Sequence, residues 1–136
     1  MAAVVVIGTL DTKGVEHQYV SEIIRSNGCE VLLIDVGILG TPQVNADISR
    51  EEVANAAGTS IKQLVLENDR GKAIDTMGNG VAKLVKKLYK EGRLGGVFAL
   101  GGSGGSSIAA RAMRELPIGV PKLIVSTIAS GDTKPY

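Results

Sequence analysis

Aliphatic residues cluster in short runs at positions 4–7, 31–34, 97–100 and 123–125. The runs are continuous and do not alternate with polar residues. That is the pattern of strands buried on both faces, as in a parallel sheet. Helical patterning fills the intervals. Val15, Tyr19, Ile23 and Ile24 recur near helical spacing and predict a first helix over residues 14–27, closed by Gly28. The long second connection opens with the loop Gly40-Thr41-Pro42-Gln43. A short helix is then expected at Ser49-Arg50-Glu51-Glu52, which has the spacing of a capping box, ending at Gly58. A longer helix is expected from an Asp69 cap to Gly92, with Ile74, Met77, Val81, Leu84, Val85 and Leu88 as its apolar stripe. Gly78 and Gly80 each weaken such a helix by about 1 kcal/mol, so close packing is the expected reason for them. The last helix is expected over residues 106–116.

Strands alternating with helices predict a single α/β domain over residues 1–136, Rossmann-like, with a doubly wound parallel sheet in three layers. Right-handed crossovers are expected, and the expected strand order is the flavodoxin-like 2-1-3-4. Residues 126–136 follow the fourth run without a further helix or strand, so the sheet is expected to be incomplete and the chain a fragment of a longer protein.

Composition narrows the function. Fifteen basic and fourteen acidic residues leave a net charge of +1, too small an excess to track a nucleic acid. Aromatics are 3%, so base-stacking platforms are not expected, and the core must be aliphatic. No run approaches the ~18 apolar residues of a membrane span. No basic leader precedes the first strand, and the expectation is a reduced, cytoplasmic protein. Cys29 has no intrachain partner and is read as structural, and no Cys/His cluster exists for zinc.

In an open parallel sheet, ligands bind beyond the carboxyl ends of the strands, where the chain direction switches. The third such loop, Gly101-Gly102-Ser103-Gly104-Gly105-Ser106-Ser107, leads from a buried strand into a helix. Glycines let backbone N–H groups approach a ligand, and a helix start favours an anion. Gly102, Gly104, Gly105, Ser103, Ser106 and Ser107 are therefore candidate phosphate ligands. The sequence is neither a Walker A motif nor G-x-G-x-x-G. It does match G-x-S-x-G, which makes Ser103 an alternative nucleophile of a serine hydrolase or acyl-transfer enzyme. That reading needs a histidine base, and the one histidine, His17, precedes the serine and is expected on a helix surface.

The first loop contributes Thr9, Asp11, Thr12 and Lys13. Lys13 is placed to reach a phosphate, Asp11 or Thr12 to cap the helix, and Asp11 alternatively to orient Mg²⁺ through water. Asp35 ends the second strand, roughly 20 residues beyond Gly14, where an acid can accept from ribose hydroxyls or alternatively cap the loop that follows. Thr127, Ser130 and Gly131 lie in the fourth loop near the same edge.

Taken together, Ile7-Gly8-Thr9-Leu10-Asp11-Thr12-Lys13-Gly14, Asp35-Val36-Gly37, Gly101-Gly102-Ser103-Gly104-Gly105, Leu116-Pro117-Ile118-Gly119-Val120-Pro121-Lys122 and Ser126-Thr127-Ile128-Ala129-Ser130-Gly131 resemble the ATP-binding domain of the tomato mosaic virus resistance protein family. Members of that family are longer than this chain. The resemblance implies an ATP site, with Mg²⁺, and self-association as a homodimer. It implies no particular reaction.

Overall fold

The structure is a computed structural model describing residues 2–136. The elements run β1 (Ala3–Gly8), α1 (Leu10–Ser26), β2 (Glu30–Asp35), α2 (Arg50–Ala56), α3 (Ile61–Glu67), α4 (Arg70–Lys90), β3 (Leu94–Gly101), α5 (Ser103–Met113) and β4 (Lys122–Ser126). The four strands form one parallel sheet in the order β2-β1-β3-β4, as the sequence predicts.

Alternate residues of each strand enter opposite cores, because successive side chains leave a strand on opposite faces. Val5, Ile7, Leu32, Ile34, Val97 and Ala99 pack under α2, α3, α4 and α5. Val6 and Leu33, with Leu10 of α1, form the smaller cluster on the other face. The result is three layers, with α1 alone on its side.

Local sequence explains several boundaries. Ser49 caps α2 by accepting from the Glu52 N–H, and Asp69 caps α4 by accepting from the Lys72 N–H. Met77, Val81, Val85 and Leu88 of the expected stripe are buried. A Cβ on Gly80 would strike the Val53 carbonyl oxygen, so this glycine lets α4 lie against α2.

Four expectations need correction. First, α1 starts at Leu10 and not at residue 14, so Asp11, Thr12 and Lys13 belong to its opening turns. Thr9 occupies the cap position without a side-chain cap bond, and the Leu10 N–H is taken by Asp35 Oδ1 at 3.2 Å. A cap acceptor 25 residues away leaves no local signature. Helical geometry lapses at Lys13, where Gln43 inserts: its N–H donates to the Leu10 carbonyl and its side chain accepts from the Val15 N–H.

Second, α1 does not bury Val15, Tyr19 and Ile23, which are 65%, 65% and 44% exposed. It buries Leu10, Gly14, His17 and Ser21 instead. The small residues bring it close to β1, and the His17 ring fills the space over Gly8, where no Cβ could fit. His17 is thus a core residue and not a surface one.

Third, α5 begins at Ser103, so the residues from Ser103 to Ser107 are its first turns and not a loop. None of these glycines has a positive φ, and helical backbone is open to them. Fourth, α3 is an additional helix. Its Ser60 cap accepts from the Gln63 N–H, and Ser60-Ile61-Lys62-Gln63 carries the capping-box spacing that would have located it. Cys29 is exposed just beyond α1.

The sheet's two edges differ. The chain around Ile48 bridges to Ile34 and covers the edge of β2. β4 pairs only with β3 among the described residues, and its Leu123 and Val125 are 57% and 55% exposed. Among the described residues, no helix is long and apolar enough to cross a membrane.

Candidate functional site

At the carboxyl ends of β1 and β3, where the winding changes direction, the structure opens a cleft of about 460 Å³. This falls within the ~300–1,000 Å³ of small-molecule sites. One side is polar: Thr9, Asp11, Thr12 and Lys13 from the start of α1, and Gly102, Ser103, Gly104 and Gly105 from the start of α5. The other is mostly apolar, with Ile38 and Leu39 after β2, Leu64 and Val65 of α3, and Ile74 and Met77 of α4. The two candidate loops, far apart in sequence, therefore face one space.

The start of α5 is open. Gly102 stands at the cap position and supplies no side-chain cap, so the first N–H groups of the helix have no local acceptor. A Cβ on Gly101, Gly102 or Gly105 would meet nothing closer than 3.6, 3.8 and 3.9 Å respectively. Internal packing thus leaves room for side chains there, and no positive φ demands glycine. Gly104 is tighter, with Ile74 Cδ1 at 3.3 Å from its would-be Cβ.

Beneath the cleft lies a sealed ionic cluster. Asp35 is 1% exposed. Its Oδ1 accepts from the N–H groups of Leu10 and Gly37, and its Oδ2 accepts from Arg50 Nε at 2.8 Å. Arg50 Nη1 also donates to the carbonyls of Leu39 and Gly40, tying down the loop after β2. Arg50 Nη2 stands 3.9 Å from Asp11 Oδ2. Asp11 Oδ1 and Arg50 Nη2 are both buried without a hydrogen-bond partner. A buried carboxylate oxygen without a donor is costly.

Other candidates fall outside the cleft. Asp35 is committed to the contacts above. Ser106 is buried, its Oγ 2.6 Å from that of Ser126, which ties α5 to β4. Ser107, Thr127, Ser130 and Gly131 do not line it, although Thr127 Oγ1 lies 3.8 Å from the would-be Cβ of Gly102. Ser103 is exposed at the mouth, but His17 is walled off: Nδ1 lies 2.6 Å from the Lys13 carbonyl oxygen and Nε2 3.1 Å from that of Ile7. The chain's one imidazole is thus held away from Ser103.

Asn68, Asp69 and Arg70, where α3 meets α4, also line the cleft and were not expected from the sequence. Asn68 ends α3 in the left-handed region at φ 50°, which lets the cap of α4, Asp69, follow it directly. The corner is braced by Lys72 and Glu67, 2.9 Å apart. The hydrogen bond from Lys72, and then that from Gln63, hold the Glu67 carboxyl below its ordinary value.

Residues 2–136 match the family model described as the "Uncharacterised protein family (UPF0261) N-terminal domain". The chain belongs to the UPF0261 family. A UPF0261 protein of Clostridium tetani is 48% identical over 133 residues, 98% of this chain and 33% of that protein. A UPF0261 protein of Rhizobium meliloti is 42% identical over 136 residues, the whole chain and 33% of its relative. The chain is also similar to the ToMV susceptible protein tm-1(GCR26) of Solanum lycopersicum, 35% identical over 145 residues, 96% of this chain and 19% of the plant protein. The chain therefore spans about a third of the length of the bacterial UPF0261 relatives.

Proposed function

We propose that the cleft is a nucleotide site and that ATP is its ligand. The observation that carries this reading is the bare start of α5. Gly102 and Gly105 are glycine where neither φ nor packing requires it. A missing side chain there has one physical consequence: the backbone N–H groups and the positive end of the helix dipole stay open to an anion. Lys13 stands in the same cleft to meet a phosphate. The aliphatic wall of Ile38, Leu39, Ile74 and Met77 is apolar enough to take a base or sugar face. Asp11, with its unpartnered Oδ1, is an acceptor for a sugar hydroxyl or a Mg²⁺-bound water. Arg50 beside it disfavours a bare cation on that carboxylate, so Mg²⁺ would be held chiefly by phosphates and water.

Calorimetric titration of ATP, with and without Mg²⁺ and with phosphate and AMP as controls, tests the reading. Saturable ATP binding much tighter than phosphate is expected, and Gly105→Ala should weaken it at least tenfold while the fold persists. Unchanged ATP affinity in Gly105→Ala would remove the main support. A fluorophosphonate probe addresses the alternative nucleophile directly: with His17 held elsewhere, Ser103 is expected to stay unlabelled. We extend the reading to self-association as a dimer, supported by the exposed Leu123 and Val125 of β4, a strand that pairs only with β3 among the described residues. Sedimentation equilibrium over a range of protein concentrations checks it, and a monomer at every concentration overturns it.

A further inference from the structure

We infer that Arg70 is a specificity-determining residue of this cleft and that the site selects polyphosphates, ligands with two or more linked phosphoryl groups. The inference rests on the phosphate-binding part of the reading above. Arg70 opens α4, and its Nη2 lies 3.6 Å from the point where a Cβ on Gly104 would stand. The guanidinium therefore reaches the first turn of α5, beside the open N–H groups. Lys13 reaches the same cleft from α1, on the opposite face of the sheet.

Among the described residues neither cation is in an ion pair. The acids nearby are already engaged: Asp69 caps α4, and Asp11 faces Arg50. Two uncommitted cations thus flank one stretch of free backbone donors. One phosphoryl group occupies a single helix start, whereas a second linked group adds the charge and length to engage a cation beyond it. Arg adds a planar fork that can hold two phosphate oxygens at once. Asp11 is engaged through Oδ2 alone; its side chain is nine-tenths buried, its Oδ1 has no hydrogen-bond partner, and it lines the same cleft, an observation independent of the helix start.

The position of Arg70 is set by the chain. Asn68 adopts the left-handed conformation that ends α3, and Asp69 caps α4, so the first residue of α4 projects at the cleft. Because Arg70 is exposed and unpaired, replacing it should leave stability unchanged.

The test is calorimetric titration of the chain and its Arg70→Gln and Arg70→Lys variants with ATP, AMP and inorganic tripolyphosphate, alongside melting temperatures. The expected result is that Arg70→Gln weakens ATP and tripolyphosphate at least tenfold, leaves AMP within twofold, and does not move the melting temperature. Arg70→Lys should recover part of the loss. Binding of ATP by Arg70→Gln within twofold of the unaltered chain overturns the inference and leaves the nucleotide reading standing. Equal affinity of the unaltered chain for AMP and ATP overturns the polyphosphate class. Arg70-dependent binding of tripolyphosphate, with ATP no tighter, overturns the nucleotide reading and supports the inference. Failure of both ligands to bind overturns both.

Discussion

Two polar regions lie close together at the carboxyl edge of the sheet, and they differ in where their hydrogen bonds go. At the end of β2, Asp35 is enclosed by Arg50 and by the N–H groups of Leu10 and Gly37. At the end of β3, the first turns of α5 carry no side-chain cap, and the glycines there have room around them. The first region consumes its polarity in fixing three chain segments to one another. The second leaves donors facing a cleft. Polar residues at a strand end are therefore ambiguous until their partners are known: of the two roles open to Asp35, ligand contact and loop cap, its bonds are those of an internal tie.

The sharpest way to break this contrast is Arg50→Met. It leaves the Asp35 carboxylate buried without its cation, which should destabilise the fold by about 3–5 kcal/mol in chemical denaturation. A loss below about 1 kcal/mol, typical of exposed ion pairs, would mean the cluster is not sealed.

Glycines sharpen the comparison next. Gly80→Ala would drive a Cβ into the Val53 carbonyl and should cost about 1–3 kcal/mol, because α2 and α4 must separate. Gly105→Ala should act in the opposite direction, raising stability by about 0.5–1 kcal/mol through its helix preference. Paired thermal melts of the two variants test whether one glycine serves packing and the other serves access. Destabilisation by Gly105→Ala would place that glycine with the first kind.

Acidification gives the smallest effect. Hydrogen bonds lower the Glu67 carboxyl in the folded state, so its contribution is present above the unfolded value and fades as pH falls through the folded one. Because Glu67 is exposed to solvent, the increment is small: Glu67→Gln should lower the melting temperature slightly at neutral pH and make no difference well below the folded value, where both side chains are neutral.

Much of the architecture could be read along the chain. The continuous aliphatic runs marked all the strands, and Ser49 and Asp69 marked helix starts that the structure bears out. Such signals are local: a cap bonds three residues ahead, and a strand's burial is written in its own side chains. The helix at Ser60 carries the same local signal in its capping spacing. The start of α1 was not legible, since its N–H acceptor comes from Asp35. Nor was its buried face, because His17 packs inward through the gap left by Gly8, while Val15, Tyr19 and Ile23 of the apolar stripe face solvent and only Ile24 packs on the core.

The sequence by itself determined the α/β class, the parallel sheet and the residues of α1 and α5 that open into the cleft. Periodicity and caps depend on neighbouring residues, and the chain carries them wherever it goes. Only the tertiary structure decided which polar residues are engaged and which are free. Asp35 and Ser106 found partners in distant segments, while Arg70 was brought to a glycine turn more than thirty residues away. Partnership between distant segments is fixed by packing geometry, and no local pattern of residues encodes it.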